Sequence, residues 1–322
     1  MAALLDVQNL STRFNLVAHT VRAVEDVSFT LNENEILAIA GESGSGKSAT
    51  ILSILKLIQR PGEIDGSSRI LFDGKDILRM SEPELNSLRG KSISMIFQEP
   101  SASFNPLFTV GAQIAEVLRA HLRLSKTESL CRAAEVLAQV HIPNARERAR
   151  DFPFQLSGGM LQRAMIALAL ACGPRILLAD EPTTALDPTT SMRILELLKE
   201  KTQGAGMSMI FVTHDLEILS GFAGRIMVMY AGRIFESGPA CSVLEDPLHP
   251  YTKDLLAAVP RPGVFKDTGR LYSIQGRVPE AGNRPPGCAY HPRCSRATEL
   301  CRTEEPALIQ KNSSFVRCRL HV

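Results

Sequence analysis

Residues 36–55 read ILAIAGESGSGKSATILSIL, and this stretch decides the fold of the chain. The apolar run from Ile36 to Ala40 predicts a buried strand, and the apolar spacing after Ser48 predicts a helix. Between them, residues 41–48 match the pattern G-x-x-x-x-G-K-[ST] in its strand, loop and helix context. Glycines let such a loop wrap a phosphate closely, while N–H groups and the positive end of the helix attract it. We therefore predict a nucleotide-binding α/β protein.

The phosphate-loop pattern predicts roles for particular residues. Lys47 is expected to reach the β- and γ-phosphates, and the Ser48 hydroxyl is expected to ligate Mg²⁺. The alternative is a glycine turn before a buried helix, which the order of strand, loop and helix disfavours. The other loop residues expected to contact the nucleotide are Gly41, Ser43, Gly44 and Gly46.

The bulk composition is that of an ordinary globular protein. The 322 residues are 44% hydrophobic and 22% charged, with 36 basic and 34 acidic residues and a net charge of +2. This near balance gives no support for a nucleic-acid partner. The N-terminus has no basic segment before an apolar run, and the longest wholly apolar run, Ala164 to Cys172, is too short to span a membrane. We expect a cytosolic chain with one large and one small domain.

An antiparallel β layer is predicted beside the phosphate-loop strand. Residues 4–40 are rich in β-branched residues and alternate apolar and polar positions. The segment SSRILFDGKDIL, residues 67–78, carries an Asp73-Gly74 turn between apolar runs and returns the chain to this layer. Phe14 could stack on adenine, although a core position is about as compatible with a lone Phe in a strand.

Polar residues stand at the C-terminal ends of three more predicted strands: Gln98, the adjacent Asp180 and Glu181, and His214. Side chains at such ends face the ligand crevice in α/β sheets. Asp180 can hold Mg²⁺, and Glu181 can accept a proton from an attacking water. Taken singly, each residue has an ordinary structural explanation, such as an acid paired with arginine or a solvated Gln. Their common position favours a catalytic site.

The segment from Val110 to about Asp151 is predicted to be helical, because apolar residues recur at three- and four-residue spacing. We interpret about residues 100–165 as a helical insertion into the α/β domain. It closes with Ser157-Gly158-Gly159, a helix start whose N–H groups can bind an anion but which is more commonly only a cap.

Beyond Gly238 the composition changes, since prolines interrupt every long element except a predicted helix over 251–258. A cytosolic location disfavours disulfides, so the cysteines of this loop-rich module favour metal ligation by thiolates, with free buried thiols as the alternative. Their spacing lacks the C-x-x-C of most structural zinc sites. The four cysteines of the last thirty-five residues are Cys288, Cys294, Cys301 and Cys318.

Together these motifs resemble the nucleotide-binding subunit of an ABC transporter over residues 1 to about 240. The features that carry this resemblance are the phosphate loop, Gln98, LSGGMLQR at 156–163, ILLADE at 176–181, ALD at 185–187 and His214. HPYTKDLLAAVP at 249–260 and GCAYHPRC at 287–294 further resemble the C-terminal extension of the dipeptide/oligopeptide importer ATPases. MVMYAGRIFESG, QEPSASFNP and SGGM in place of SGGQ are most similar to the first of that system's two ATPase subunits.

This resemblance implies an ABC-type ATPase domain over residues 1–240 and a peptide-importer extension over 241–322. In the family, two ATPase subunits pair head to tail, and each ATP lies between the phosphate loop of one and the Ser-Gly-Gly signature of the other. Glu181 would then act as general base, Gln98 would sense Mg²⁺, and His214 would steady the γ-phosphate.

The remaining site residues are also implied by the resemblance. Ser48, Gln98 and Asp180 would hold Mg²⁺, and Phe14 matches the position of the family's adenine-stacking aromatic residue. The four cysteines match the positions that ligate a 4Fe-4S cluster, with zinc as the alternative. The residues implied to meet the partner subunit's nucleotide are Ser157, Gly158, Gly159 and Asp187.

The implied partners are a sister ATPase subunit, two transmembrane permease subunits and an extracytoplasmic solute-binding protein. The chain would then be peripheral, at the cytoplasmic face of the membrane. We expect it to hydrolyse ATP to power uptake of dipeptides or oligopeptides. Nickel complexes, opines or glutathione remain open as cargo, and a soluble ABC ATPase of translation or DNA repair is the alternative class.

Overall fold

The computed structural model describes residues 3–184, 186–259, 272–279 and 282–321. Its strands are β1 (Leu5–Asn15), β2 (Thr20–Leu31), β3 (Ile36–Ala40), β4 (Gly62–Ile64), β5 (Arg69–Phe72), β6 (Lys75–Asp76), β7 (Ile93–Ile96), β8 (Ile176–Asp180), β9 (Ser208–Thr213), β10 (Arg225–Tyr230), β11 (Arg233–Pro239), β12 (Ile309–Lys311) and β13 (Ser314–Val316). Its α-helices are α1 (Lys47–Ile54), α2 (Glu82–Leu88), α3 (Pro100–Ser103), α4 (Val110–Leu122), α5 (Lys126–Gln139), α6 (Ala145–Arg148), α7 (Gly158–Leu170), α8 (Pro188–Ala205), α9 (Ala240–Glu245), α10 (Pro250–Ala258) and α11 (Glu299–Thr303).

The chain divides into two compact units. Unit 1 consists of residues 1–78 and 212–322, and unit 2 consists of residues 79–211. Unit 1 therefore contains both the phosphate loop and the C-terminal segment. The chain passes from unit 2 back to unit 1 within β9. The predicted boundaries at about 100, 165 and 240 stay predictions.

Unit 1 contains the antiparallel layer that the sequence predicted. Its strands run in the order β2-β1-β5-β6, and β4 also pairs with β1. Leu5 and Val7 of β1 face the core, and after a register shift between Val7 and Leu10 so do Leu10 and Thr12; all four are almost completely buried. The turn at Asp73-Gly74 has φ angles of 48° and 75°, which suit a two-residue hairpin loop. The prediction of an antiparallel layer is confirmed.

The phosphate-loop strand belongs to a second sheet of unit 1. β3 pairs in parallel with β10, and β10 forms an antiparallel hairpin with β11 through a turn at Ala231-Gly232. All five residues of β3 are buried, as expected for a strand covered on both faces. Two more strands of this sheet, β12 and β13, were not predicted from the sequence. β13 pairs with β11, and β12 pairs with β13.

Unit 2 combines a short sheet with the predicted helices. β8 lies between β9 and β7 and pairs in parallel with β7. Thr109 and Ser125 cap α4 and α5, because their hydroxyl oxygens accept N–H groups of the first turn. Apolar residues of α7, including Ala164 and Ile166, are fully buried. The predicted helical character of residues 110–151 is confirmed.

Within the described residues, the helices are all too short or too polar to cross a bilayer.

The close approach of β11 and β13 at Gly238 gives a test of this topology. A Cβ at Gly238 would overlap the Ser314 side chain and lie 3.2 Å from the Ser314 Cα, so Gly238→Ala should push the two strands apart. Overpacking of this kind costs about 1–3 kcal/mol, and we expect the apparent Tm to fall by a few degrees. Gly224→Ala is the matched control, because the nearest atom to its added Cβ is Ile36 O at 3.9 Å. Equal melting temperatures for the two variants would contradict the β11–β13 pairing.

Candidate nucleotide site

The phosphate loop in unit 1 has a backbone that only glycine tolerates at two positions. Gly41 and Gly46 have φ angles of 150° and 103°. A Cβ at Gly41 would overlap the carbonyl oxygen of Met229, and a Cβ at Gly46 would overlap that of Ala23. The loop is therefore pressed against β10 and β2, and its shape is fixed by neighbours that are distant in sequence.

The loop delivers Lys47 and Ser48 to the start of α1, where backbone N–H groups lack helical partners. Lys47 is only 4% exposed, and its ammonium group donates to the carbonyl oxygens of Gly41 and Glu42 at 2.8 and 2.9 Å. The ammonium group is thus held over the loop. This arrangement can bind a polyphosphate.

Two other predicted site residues belong to unit 1. Phe14 is half-buried on β1, and its ring packs closely over Gly62 of β4, where an added Cβ would lie 2.6 Å from a ring carbon. His214 directly follows β9 and is exposed. The neighbouring turn is held by the Asp215 N–H, which donates to the Thr213 hydroxyl at 3.0 Å.

Unit 2 brings Gln98 and Glu181 together. The Gln98 side-chain amide donates to Glu181 Oε2 at 3.4 Å, and the Thr184 hydroxyl donates to the same oxygen at 2.9 Å. Asp180 is the last residue of β8 and is 6% exposed. Glu181 follows with a φ angle of 44°, an uncommon backbone conformation for a residue with a side chain, and such strain concentrates at functional sites.

The Ser-Gly-Gly segment begins α7 in the same unit. The Ser157 hydroxyl accepts the N–H of Met160 at 3.4 Å, while Gly158, which is exposed, and Gly159, which is half-buried, begin the first turn. Asp187 caps α8, where its carboxylate accepts the Thr190 N–H at 3.0 Å. Hydrogen bonds from Thr190 lower the pKa of Asp187. The two helix starts lie side by side, since a Cβ at Gly159 would be 3.1 Å from the Thr190 methyl group.

Gln162 is a site residue that sequence reasoning missed. It is 2% exposed on the largely apolar α7, and its side-chain amide donates to the carbonyl oxygen of Pro182 at 2.6 Å. This hydrogen bond links α7 to the backbone just after Glu181. Gln162 lies within the LSGGMLQR motif at 156–163, but no role was predicted for this position within the motif.

The four C-terminal cysteines line one small cavity of about 20 Å³ in unit 1. Burial raises the pKa of the Cys288 thiol to about 11 and also raises the pKa values of Cys294 and Cys318. Thiols are suitable donors for soft metals, so the chemistry of this set fits a thiolate-bound metal. As arranged in the described part of the chain, no three His, Cys, Asp or Glu side chains could hold a metal ion.

Models of known families match three stretches of the chain. The ABC transporter model matches residues 24–184, and the model for the oligopeptide/dipeptide transporter C-terminal region matches residues 235–301. An AAA domain model also matches residues 153–220.

Relatives match over nearly the whole chain. A Brucella melitensis chain whose name describes a peptide import ATP-binding protein is 47% identical over 319 residues, which cover 96% of this chain and 94% of the relative. The dipeptide transport ATP-binding protein DppD of Escherichia coli is 46% identical over 306 residues, covering 95% and 93%. This chain belongs to the ABC transporter ATP-binding family, and it is an ATPase of that family.

Solved structures show the same fold. The dimeric post-hydrolysis structure of the ATP-binding cassette MJ0796, bound to ADP and Pi, is 30% identical with a TM-score of 0.66, covering 73% of this chain and 98% of that one. CbiO1 from Clostridium perfringens, part of the ABC transporter complex cbiONQ, is 27% identical with a TM-score of 0.64, covering 76% and 92%. The predicted ABC ATPase fold is confirmed.

The constraint at Gly46 can be tested without nucleotide. Gly46→Ala adds both a strained φ and an overlap with the Ala23 carbonyl, whereas Gly44→Ala adds only the strained φ, since no atom lies within 4 Å of its Cβ. The positive φ alone costs about 1–2 kcal/mol. We expect Gly46→Ala to have the lower apparent Tm of the two by several degrees in thermal unfolding. Equal values would show that the loop is not pressed against Ala23.

Proposed function

We propose that this chain is the ATP-hydrolysing subunit of an importer for dipeptides or oligopeptides. The observation that carries the proposal is the match of residues 235–301 to the oligopeptide/dipeptide transporter C-terminal region, next to an ABC transporter match at 24–184. The naming of relatives such as DppD as a dipeptide transport protein supports the same cargo class.

The proposal assigns the nucleotide chemistry to the predicted residues. Lys47 would bind the β- and γ-phosphates, and Ser48, Gln98 and Asp180 would hold Mg²⁺, which would neutralise charge on the phosphates. Glu181 is the general base for the attacking water. Its support is the hydrogen bonds from Gln98 and Thr184, which orient the carboxylate.

His214 is assigned to the γ-phosphate and Phe14 to the adenine ring. The exposure of His214 at the end of β9 leaves its imidazole accessible to a ligand. Phe14 is half-buried, so part of its ring is available for stacking. Gly41, Ser43, Gly44 and Gly46 complete the assigned nucleotide contacts.

Two ATPase subunits would share each ATP. Ser157, Gly158 and Gly159 would contact the γ-phosphate held by the partner's loop, which is consistent with their position at a helix N-terminus where Ser157 and Gly158 are exposed. Asp187 would contact the partner's site from the adjacent helix start. The dimeric structures of MJ0796 support such pairing. We propose a sister ATPase subunit as the partner.

The assembly would also contain two transmembrane permease subunits and an extracytoplasmic solute-binding protein. This chain would sit on the permeases at the cytoplasmic face of the membrane. ATP-driven closure of the two ATPase subunits would then move the permeases, and hydrolysis would release them.

The C-terminal cysteines would hold a 4Fe-4S cluster, with zinc as the alternative. Cys288, Cys294, Cys301 and Cys318 line one cavity, which supports the proposal, and cluster binding would draw together thiols that do not form a metal-ligating group in the described part of the chain. A cluster bound there would fix loops that lack a large apolar core of their own.

Transport is tested by uptake of a radiolabelled dipeptide into cells that lack this chain. The wild-type chain should restore uptake, whereas Glu181→Gln should not, because loss of a general base lowers turnover by about 100-fold or more. The exposed Glu196 of α8 provides the control Glu196→Gln, which should restore uptake like the wild type. Restored uptake of a nickel complex or glutathione but not of peptides would overturn the cargo assignment.

Metal analysis tests the cysteine proposal. Anaerobically purified wild-type chain should contain about four iron atoms and four sulfides, and Cys288→Ser should lose most of both. Cys131→Ser is the matched control, since Cys131 is exposed in unit 2. Zinc without iron would support the alternative, and a metal-free chain would contradict both.

A further inference from the structure

The second residue of the phosphate loop, Glu42, is held by side chains from the C-terminal segment. The guanidinium of Arg293 donates to Glu42 Oε2 at 2.7 Å and to Oε1 at 2.9 Å, a bidentate ion pair. The Glu42 N–H donates to the hydroxyl oxygen of Tyr251 at 2.9 Å. Both the side chain and the backbone of one loop residue are therefore fixed from outside the loop, by partners more than 200 positions away.

The surroundings of Arg293 leave it little freedom. Its side chain is only 4% exposed, its Nε donates to Gln275 O at 2.9 Å, and its guanidinium lies 5.8 Å from the ring centres of Tyr230 and Tyr290. Burial opposes the charge, but the guanidinium donates to both carboxylate oxygens of Glu42 and to the Tyr230 hydroxyl at 3.3 Å. The charge is retained because Glu42 compensates it.

The backbone of Arg293 is fixed by successive tight turns. Arg293 N–H donates to Tyr290 O at 3.0 Å, and the adjacent Cys294 N–H donates to His291 O at 3.3 Å. These turns lie between Cys288 and Cys294, and Cys288 N–H donates to Cys301 O at 2.8 Å. The cysteine-bearing turns therefore determine where the guanidinium meets the loop.

We propose that Arg293 and Tyr251 are positioning residues for the phosphate loop. Arg293 neutralises the Glu42 carboxylate, which would otherwise repel nucleotide phosphates, and Tyr251 fixes the backbone at the same residue. This proposal rests on the proposed function only in taking the loop as an ATP site. It adds that residues of the C-terminal segment set the affinity of that site.

The test compares ATP affinity and turnover for four forms of the full-length chain: wild type, Arg293→Met, Glu42→Gln and the double variant. A fluorescent ATP analogue reports Kd, and steady-state hydrolysis separates KM from kcat. Arg293→Met leaves an unpaired carboxylate beside the phosphates, so Kd and KM should rise by roughly 5- to 20-fold while kcat changes much less. Glu42→Gln in the same chain removes that carboxylate and should restore most of the affinity.

Three further variants sharpen the comparison. Arg293→Lys keeps the charge but not the bidentate geometry and should give partial recovery. Arg225→Met removes a different half-buried ion pair of unit 1, with Glu35 at 2.8 Å, and should leave ATP affinity unchanged. If Arg293→Met does not fold, Tyr251→Phe tests the proposal in its place. This variant removes only the hydroxyl group and should weaken ATP binding.

The outcomes are distinct. A wild-type chain that does not bind ATP overturns the proposed function and this proposal with it. A wild-type chain that binds ATP, with an unchanged Kd in Arg293→Met, or in Tyr251→Phe where that variant decides, overturns the positioning role alone. A loss in Arg293→Met that Glu42→Gln does not reverse also overturns it, because a general disturbance of the C-terminal segment would not respond to the charge of Glu42.

Discussion

The carbonyl oxygens of Met229 and Ala23 leave no space for side chains at Gly41 and Gly46, and the phosphate loop of unit 1 depends on this contact. The loop is also joined to the β10–β11 turn, where Gly232 N–H donates to Ser45 O at 2.9 Å. A loop of eight residues cannot hold such a conformation alone, because ordering its backbone costs about 1–2 kcal/mol per residue. The hairpin therefore supplies the rigidity that a phosphate site requires.

A different constraint operates in unit 2. Glu181 has a left-handed backbone that costs about 1–3 kcal/mol, and it persists because its surroundings fix it. Gln98 and Thr184 hold the carboxylate, while Gln162 holds the backbone carbonyl at Pro182. A general base must meet its water within a few tenths of an ångström, so a fixed backbone serves the chemistry proposed for Glu181.

The features that sequence predicted are those encoded within a few neighbouring residues. The apolar runs of β3 and β8, the turn at Asp73-Gly74 and the periodicity of α4 and α5 all carry local signals. The β12–β13 hairpin carried none, because each strand has only three residues and the hairpin joins the sheet through pairing of β13 with β11. Its formation depends on a contact between residues some eighty positions apart.

The same distinction applies to the secondary-structure positions of the predicted site residues. Lys47, Glu181 and Ser157 stand in contiguous patterns, so the sequence placed them correctly at a helix start, a strand end and a cap. The Arg293–Glu42 pair joins residues 251 positions apart, and neither position looks unusual alone. Only the fold brings them together.

The C-terminal segment illustrates why polar contacts matter where an apolar core is small. The rings of Tyr230, Tyr251 and Tyr290 lie 4.6–5.3 Å apart and bury the segment against β10. Aromatic rings can pack in several relative orientations, whereas a bidentate guanidinium–carboxylate pair forms only within a narrow range of hydrogen-bond angles. A buried ion pair contributes little net stability, but any arrangement that separates its two charges is strongly destabilised. Aromatic packing can therefore attach the segment to unit 1, while the Arg293–Glu42 pair selects the one alignment in which the phosphate loop is correctly held.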